Sequence, residues 1–139
     1  MTGPAPAPVS TKRPWRARLG GTARRDGRAA EWTAAALLMA KGYQIIGFRL
    51  KHRMGEIDLL ARRGRVLAVV EVKRRATLDQ ALTCLTEAQK SRLTAAGRAV
   101  MRNRPSLKGL SLRLDMVALA PGRFPRHVRG LSLESPRRT

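Results

Sequence analysis

The chain has 139 residues, enough for one domain with or without tails. Lys and Arg number 29 against nine Asp and Glu, a formal charge of +20, while 43% of residues are hydrophobic; the chain is too apolar to be disordered by composition and basic enough to attract polyanions. One cysteine, Cys84, excludes a disulfide framework and a cysteine-rich zinc site, and no apolar run approaches the roughly 20 residues of a membrane helix.

The single cysteine fits a reducing cytoplasm, and the N-terminus lacks the apolar core of a secretory signal. Nucleic acid is the expected polyanion, ahead of an anionic membrane, because no long basic helix with a bulky aromatic face stands out. Twenty-three of the 29 basic residues are Arg, a bias that a GC-rich genome produces. That bias does not account for the scarcity of acids. Only five residues are aromatic, which argues against a surface that binds single strands mainly by stacking.

Residues 1–19 read as a basic, Pro/Ala-rich disordered tail, residues 20–133 as a single domain, and residues 134–139 as a second short tail. A helix is expected from about residue 22 to 41, with Ala30, Ala34, Leu37 and Leu38 at helical spacing and Gly42 as its C′ residue. Residues 44–50, 56–61 and 66–73 read as three strands. Arg62-Arg63-Gly64-Arg65 between the last two predicts an antiparallel hairpin turning around Arg63-Gly64. Leu82, Leu85, Gln89, Leu93, Ala96 and Val100 mark one second helix, which ends before Asn103 and Pro105. Residues 111–119 read as a fourth strand and residues 128–133 as a short fifth one. The order α-β-β-β-α-β predicts a mixed sheet flanked by helices.

Two segments break the pattern of a buried strand. Gly55-Glu56-Ile57-Asp58-Leu59-Leu60 and Val69-Val70-Glu71-Val72-Lys73 both place carboxylates among large apolar residues. Such burial is costly unless the charge is paired or binds a metal. Strand alternation puts Glu56 with Asp58 on one face, and Glu71 with Lys73 on one face. A turn around Arg63-Gly64 sets Asp58 opposite Val69 and makes Asp58 and Glu71 diagonal neighbours, about 7–8 Å apart at Cα. Two carboxylates so placed can clasp one hard cation such as Mg²⁺ or Mn²⁺. Lys73 can then reach a scissile phosphate and orient or deprotonate the attacking water. Glu31 groups with Ala34, Ala35 and Leu38 on a small-residue helix face and is expected to point inward as a third acid. The plainer reading is that these acids pair with Arg or Lys.

These residues carry a family resemblance. Residues 27–119 resemble the YraN family of uncharacterised bacterial proteins through Gly27-Arg28-x-x-Glu31, Lys41-Gly42-Tyr43, Gly55-Glu56-Ile57-Asp58-Leu59-Leu60 and Val70-Glu71-Val72-Lys73-x-Arg75. The resemblance implies an endonuclease-like protein with a restriction-endonuclease-like, PD-(D/E)XK core. It implies that Asp58 and Glu71 bind the metal, that Lys73 is the catalytic lysine, and that Glu31 is the helical acid of the Holliday-junction-resolvase branch. The chain departs from the family after Lys73. The segment from Arg74 to Thr86 is shorter, Thr83 stands where relatives carry Glu, and Gln89-Lys90 reverses the usual order. Ile57 also replaces the proline of the superfamily motif.

Arg49, Lys51, Arg53, Arg74 and Arg75 flank the acidic strands and are candidates for phosphate contacts that do not read sequence. His52 and His127 are isolated, Cys84 and Trp32 read as core, and Arg113 with Asp115 as a structural ion pair. The leading expectation is a cytoplasmic, Mg²⁺-dependent nuclease-like protein acting on DNA ahead of RNA, as a monomer or homodimer and without a membrane partner. A non-catalytic nucleic-acid-binding module of the same fold and a ribosome- or RNA-associated basic protein are the alternatives.

Overall fold

The computed structural model describes residues 28–131. The two expected tails, Trp15 and the start of the first helix lie outside the described residues. A helix, α1, covers residues 28–40 and is followed by β1 (Gln44–His52), β2 (Gly55–Arg63) and β3 (Val66–Arg74). Two helices, α2 (Leu78–Thr83) and α3 (Glu87–Asn103), and a 3-10 turn at Pro105–Leu107 lead to β4 (Ser111–Leu119) and β5 (Arg126–Val128). The result is a mixed α/β fold around one five-stranded sheet in the order β1-β2-β3-β4-β5. Only β3 and β4 run parallel, and α2 and α3 supply the crossover that a parallel pair requires, while the other neighbouring pairs are antiparallel.

The sheet separates two apolar layers. Ile57, Leu60, Leu67, Val69, Leu114 and Met116 pack against Leu85, Leu93 and Ala96 of the α2–α3 side. Leu59, Ala61, Ala68, Val70 and Val117 pack against Ala34, Ala35 and Leu38 of α1. The alternation of β3 therefore feeds both layers, which explains its unbroken apolar reading in sequence. α1 closes with Gly42 N–H donating to Met39 and Tyr43 N–H donating to Leu38, each at 3.0 Å. These are the paired bonds of a Schellman end, and Leu38 and Tyr43 meet in the same core.

The single second helix of the sequence reading is in fact two. Thr77 caps α2, and Thr86 caps α3 through a reciprocal capping box with Gln89. The segment Cys84–Leu85–Thr86 breaks the apolar stripe, because a second N-cap with its own box starts a new helix. β5 lies earlier than expected. Gly130 N–H turns in to donate to Asp115 instead of continuing the strand, and residues 132–133 of the expected strand lie outside the described residues. Among the described residues no helix is long and apolar enough to cross a membrane.

Candidate active site

The β2–β3 hairpin turns over Gly64 and Arg65, with Arg63 paired to Val66 and Gly64 at φ 61°. This is one residue later than a turn around Arg63-Gly64, and an antiparallel register moves by two for each such step. Val69 therefore pairs with Leu60, not with Asp58. One step beyond the pair Leu59↔Val70, Asp58 stands across from Glu71. The two acids lie just past the last paired residues of the hairpin, where each carboxyl acts on the charge of the other.

The ladder ends at Asp58. Its Oδ2 accepts a hydrogen bond from Val72 N–H at 2.9 Å, which replaces a strand carbonyl with a carboxylate. Ile57 packs on the α3 side and Leu59 on the α1 side, so the face-sharing expected of Glu56 and Asp58 gives way to a slip in alternation at this point. On β1 the residue opposite Asp58 is Arg49, whose φ is 48°. A left-handed conformation costs a non-glycine residue about 1 kcal/mol. Both strands are thus distorted where the charged groups gather.

Asp58, Glu71 and Lys73 come together at this opening. Lys73 Nζ lies 3.1 Å from Glu71 Oε2, with only 17% and 12% of the two side chains exposed. Burial pushes Glu71 up to about 7; the adjacent Asp58 carboxyl pushes the same way, and Lys73 opposes it. Burial also raises Asp58, against the opposing Val72 N–H, Glu71 and Lys73. Burial and the neighbouring Asp58 carboxyl thus both favour the protonated form of Glu71. Removing that proton creates two adjacent, poorly hydrated negative charges, which a cation would neutralise.

Glu31 points inward as expected and is 9% exposed. Its carboxylate is bound by the Arg49 guanidinium. Burial raises its pKa, Arg49 lowers it, and Asp58 and Glu56 raise it further, so Glu31 sits within electrostatic reach of the central acids. Among the described residues no group of three or more His, Cys, Asp or Glu is arranged to hold one metal ion. Asp58 and Glu71 together offer only carboxylate oxygens, the ligand type that a hard cation keeping several of its waters could take.

The flanking cations take different places. Arg49 is tied to Glu31, while Lys51 lies exposed on β1 across from Glu56. Arg53, Arg74 and Arg75 are exposed at strand ends and the β1–β2 turn. Sequence reasoning overlooked Arg92. With Gln89, Gly55, Glu56, Glu71 and Leu93 it lines a cavity of about 230 Å³ beside the acids. The available signal was Gln89, a polar residue in an otherwise apolar helix stripe.

Asp115 is on the other face. It is fully buried, accepts from Arg113 at 2.8 and 2.7 Å and from Gly130 N–H at 3.0 Å, and lies 2.9 Å from His127 Nε2. Burial raises its pKa, but the hydrogen bonds from His127, Arg113 and Gly130 prevail and hold it at about 2. Arg113 also binds the Tyr43 hydroxyl, and Lys41 Nζ lies 2.7 Å from His127 Nδ1. The Arg113–Asp115 ion pair is structural, as read from sequence, but His127 is not isolated. The short strand β5, in which His127 pairs with Val117 of β4, brings it to Asp115. Trp32, read as core, is 63% exposed.

The model of the "Uncharacterised protein family UPF0102" matches residues 30–119, which include Glu31, Asp58, Glu71 and Lys73. A UPF0102 protein of Caulobacter sp. strain K31 is 57% identical over 109 residues, 78% of each chain. One of Caulobacter vibrioides strain NA1000 is 54% identical over 109 residues, covering 78% of this chain and 87% of the relative. One of Bradyrhizobium sp. strain ORS 278 is 42% identical over 132 residues, 95% of this chain and 91% of the relative. With β1 to β4, the acid pair and Lys73 inside the matched span, the chain belongs to the UPF0102 family.

Proposed function

We propose that this protein is a divalent-cation-dependent nuclease with a restriction-endonuclease-like core, hydrolysing phosphodiester bonds of DNA ahead of RNA. The observation that carries the reading is the facing pair Asp58 and Glu71, with Lys73 Nζ 3.1 Å from Glu71, in a molecule of charge +20. A positive field brings the polyanion in, and the acids have no use for it unless a cation mediates. Asp58 and Glu71 would hold Mg²⁺ or Mn²⁺, which supplies Lewis-acid stabilisation of the phosphoryl oxygens. Val72 N–H fixes one Asp58 oxygen, and Lys73, 3.1 Å from Glu71, restrains it and would orient the attacking water. Arg92 and Gln89 on α3 border the same cavity and offer donors to a phosphate. Arg49, Lys51, Arg53, Arg74 and Arg75 extend that contact along the strand. Glu31 acts through Arg49, holding its guanidinium beside the acids.

A second reading has one observation in its favour. Glu31 is engaged by Arg49, so only two acids are available to a cation, and a protein that merely binds nucleic acid could tolerate that. Cleavage of single-stranded, duplex and branched DNA with Mg²⁺ or Mn²⁺ separates the two. The nuclease reading expects wild type to cut at least one substrate, Lys73→Ala to slow cutting by about 10²–10⁴-fold, and Glu71→Gln to abolish metal-dependent cutting while binding persists. Wild type that binds every substrate and cuts none establishes the binding module.

A further inference from the structure

Trp32 follows Glu31 on α1 and leaves 63% of its surface in water. An exposed Trp forfeits the large apolar burial that this side chain offers a core. Its ring rests on that of Phe48, with centroids 5.0 Å apart and planes inclined by 41°. The pair therefore forms a supported platform instead of a loose side chain. Arg28, also exposed, lies four residues earlier on α1 and on the same face. Arg49, next to Phe48 on β1, keeps 40% of its side chain exposed while it binds Glu31. Lys51 is exposed on the same strand. Phe48 packs with the α1 layer, and Glu31, next to Trp32 in the chain, feels the charges of Asp58 and Glu56, so the platform lies on the α1 side within electrostatic reach of the acids.

A flat ring bordered by cations offers a π-face for a base and charges for its flanking phosphates. A base inside a duplex has both faces covered by its neighbours, so only an unpaired base can use such a ring. We propose that Trp32 is a stacking platform for an unpaired base, and that the substrate carries a single-stranded or unpaired segment beside the bond that is cut. The inference rests on the nuclease reading for its substrate and deepens it by naming the class. Few aromatic residues are needed, because one platform serves one base and the cations hold the remainder of the strand.

The chain contains two tryptophans, so Trp15→Phe leaves Trp32 as the only one to report. In this background, without divalent metal, titration with a single-stranded oligonucleotide is expected to quench the fluorescence, and a blunt duplex of the same sequence is not. Trp32→Ala is expected to weaken single-strand binding about ten-fold and to leave duplex binding unchanged, with Trp32→Phe close to wild type. Equal losses on both substrates, no loss on either, or quenching that grows with protein concentration alone would overturn the proposal; the last would show the ring covered by a second copy. The two readings fail separately. Strand-selective quenching in a protein that cuts nothing sinks the nuclease and keeps the platform, whereas cutting that ignores Trp32→Ala on single-stranded and duplex substrates sinks the platform alone.

Discussion

At the scale of single residues, two buried carboxyl groups with opposite shifts divide the labour. Asp115 is held at about 2 against an ordinary 3.8. The unfolded chain therefore binds more protons between those values, and the stability contributed by Asp115 is complete above about pH 4 and lost as pH falls toward 2. A shift of that size corresponds to about 2 kcal/mol. Glu71, raised from 4.5 to about 7, works in the other direction. The folded state is then the one that binds more protons, so stability falls as pH rises through that window. Urea unfolding measured from pH 2 to 8 should show both slopes. Asp115→Asn should remove the acid limb and cost about 3 kcal/mol at neutral pH, because Arg113 loses its buried partner. Glu71→Gln should flatten the fall between pH 4.5 and 7. An unchanged profile in Glu71→Gln would contradict the raised titration of Glu71.

At the scale of elements, α3 is drawn tightly onto the sheet. A Cβ on Gly97 would come within 2.6 Å of Val69 Cγ2 and 3.0 Å of Leu112 Cδ1. Val69 is fully buried and branched at Cβ, so it has no free rotamer to yield. Gly97→Val should therefore cost about 1–3 kcal/mol by overpacking, read as a lower denaturation midpoint at unchanged m-value. Glu71 and Gln89 line one cavity with Arg92, so lifting α3 off the sheet should also weaken binding at the site. The strands of this site were largely legible, since three consecutive apolar runs and a glycine turn announce a hairpin meander. The register was not. A slip of one residue at the turn leaves the apolar pattern equally satisfied when both faces of the sheet are buried, and here both are.

At the scale of the whole molecule, the described residues contain seven acids. Asp58 acts on Glu31 and on Glu71, and Glu56 acts on Glu31 and Asp58, while Asp115 is buried on the other face. Asp79 and Glu87 stand in the first turns of α2 and α3, where the helix dipole favours them. Glu56, Asp79 and Glu87 are exposed and Glu87 pairs with Lys90 at 3.1 Å, but these few acids leave most of the surface cations unbalanced. Binding to any nucleic acid should depend steeply on salt. With about four phosphates neutralised, affinity should drop roughly 100-fold between 50 and 200 mM salt, measurable by fluorescence anisotropy. A flat dependence would mean that the excess of Arg serves only solubility.

The sequence by itself determined the class of the molecule. Its hydrophobic periodicity marked the strands, the charge of +20 marked the field, and the acids within apolar runs marked Asp58, Glu71 and Lys73, because burying a charge is costly enough to leave a local trace. Tertiary structure decided what depends on contacts between distant segments. It set Asp58 across from Glu71, drew Arg49 onto Glu31 and His127 onto Asp115, brought Arg92 to the acids from a helix, and left Trp32 in solvent. No local pattern encodes these pairings, since each is set by how two segments far apart in the chain approach across the sheet.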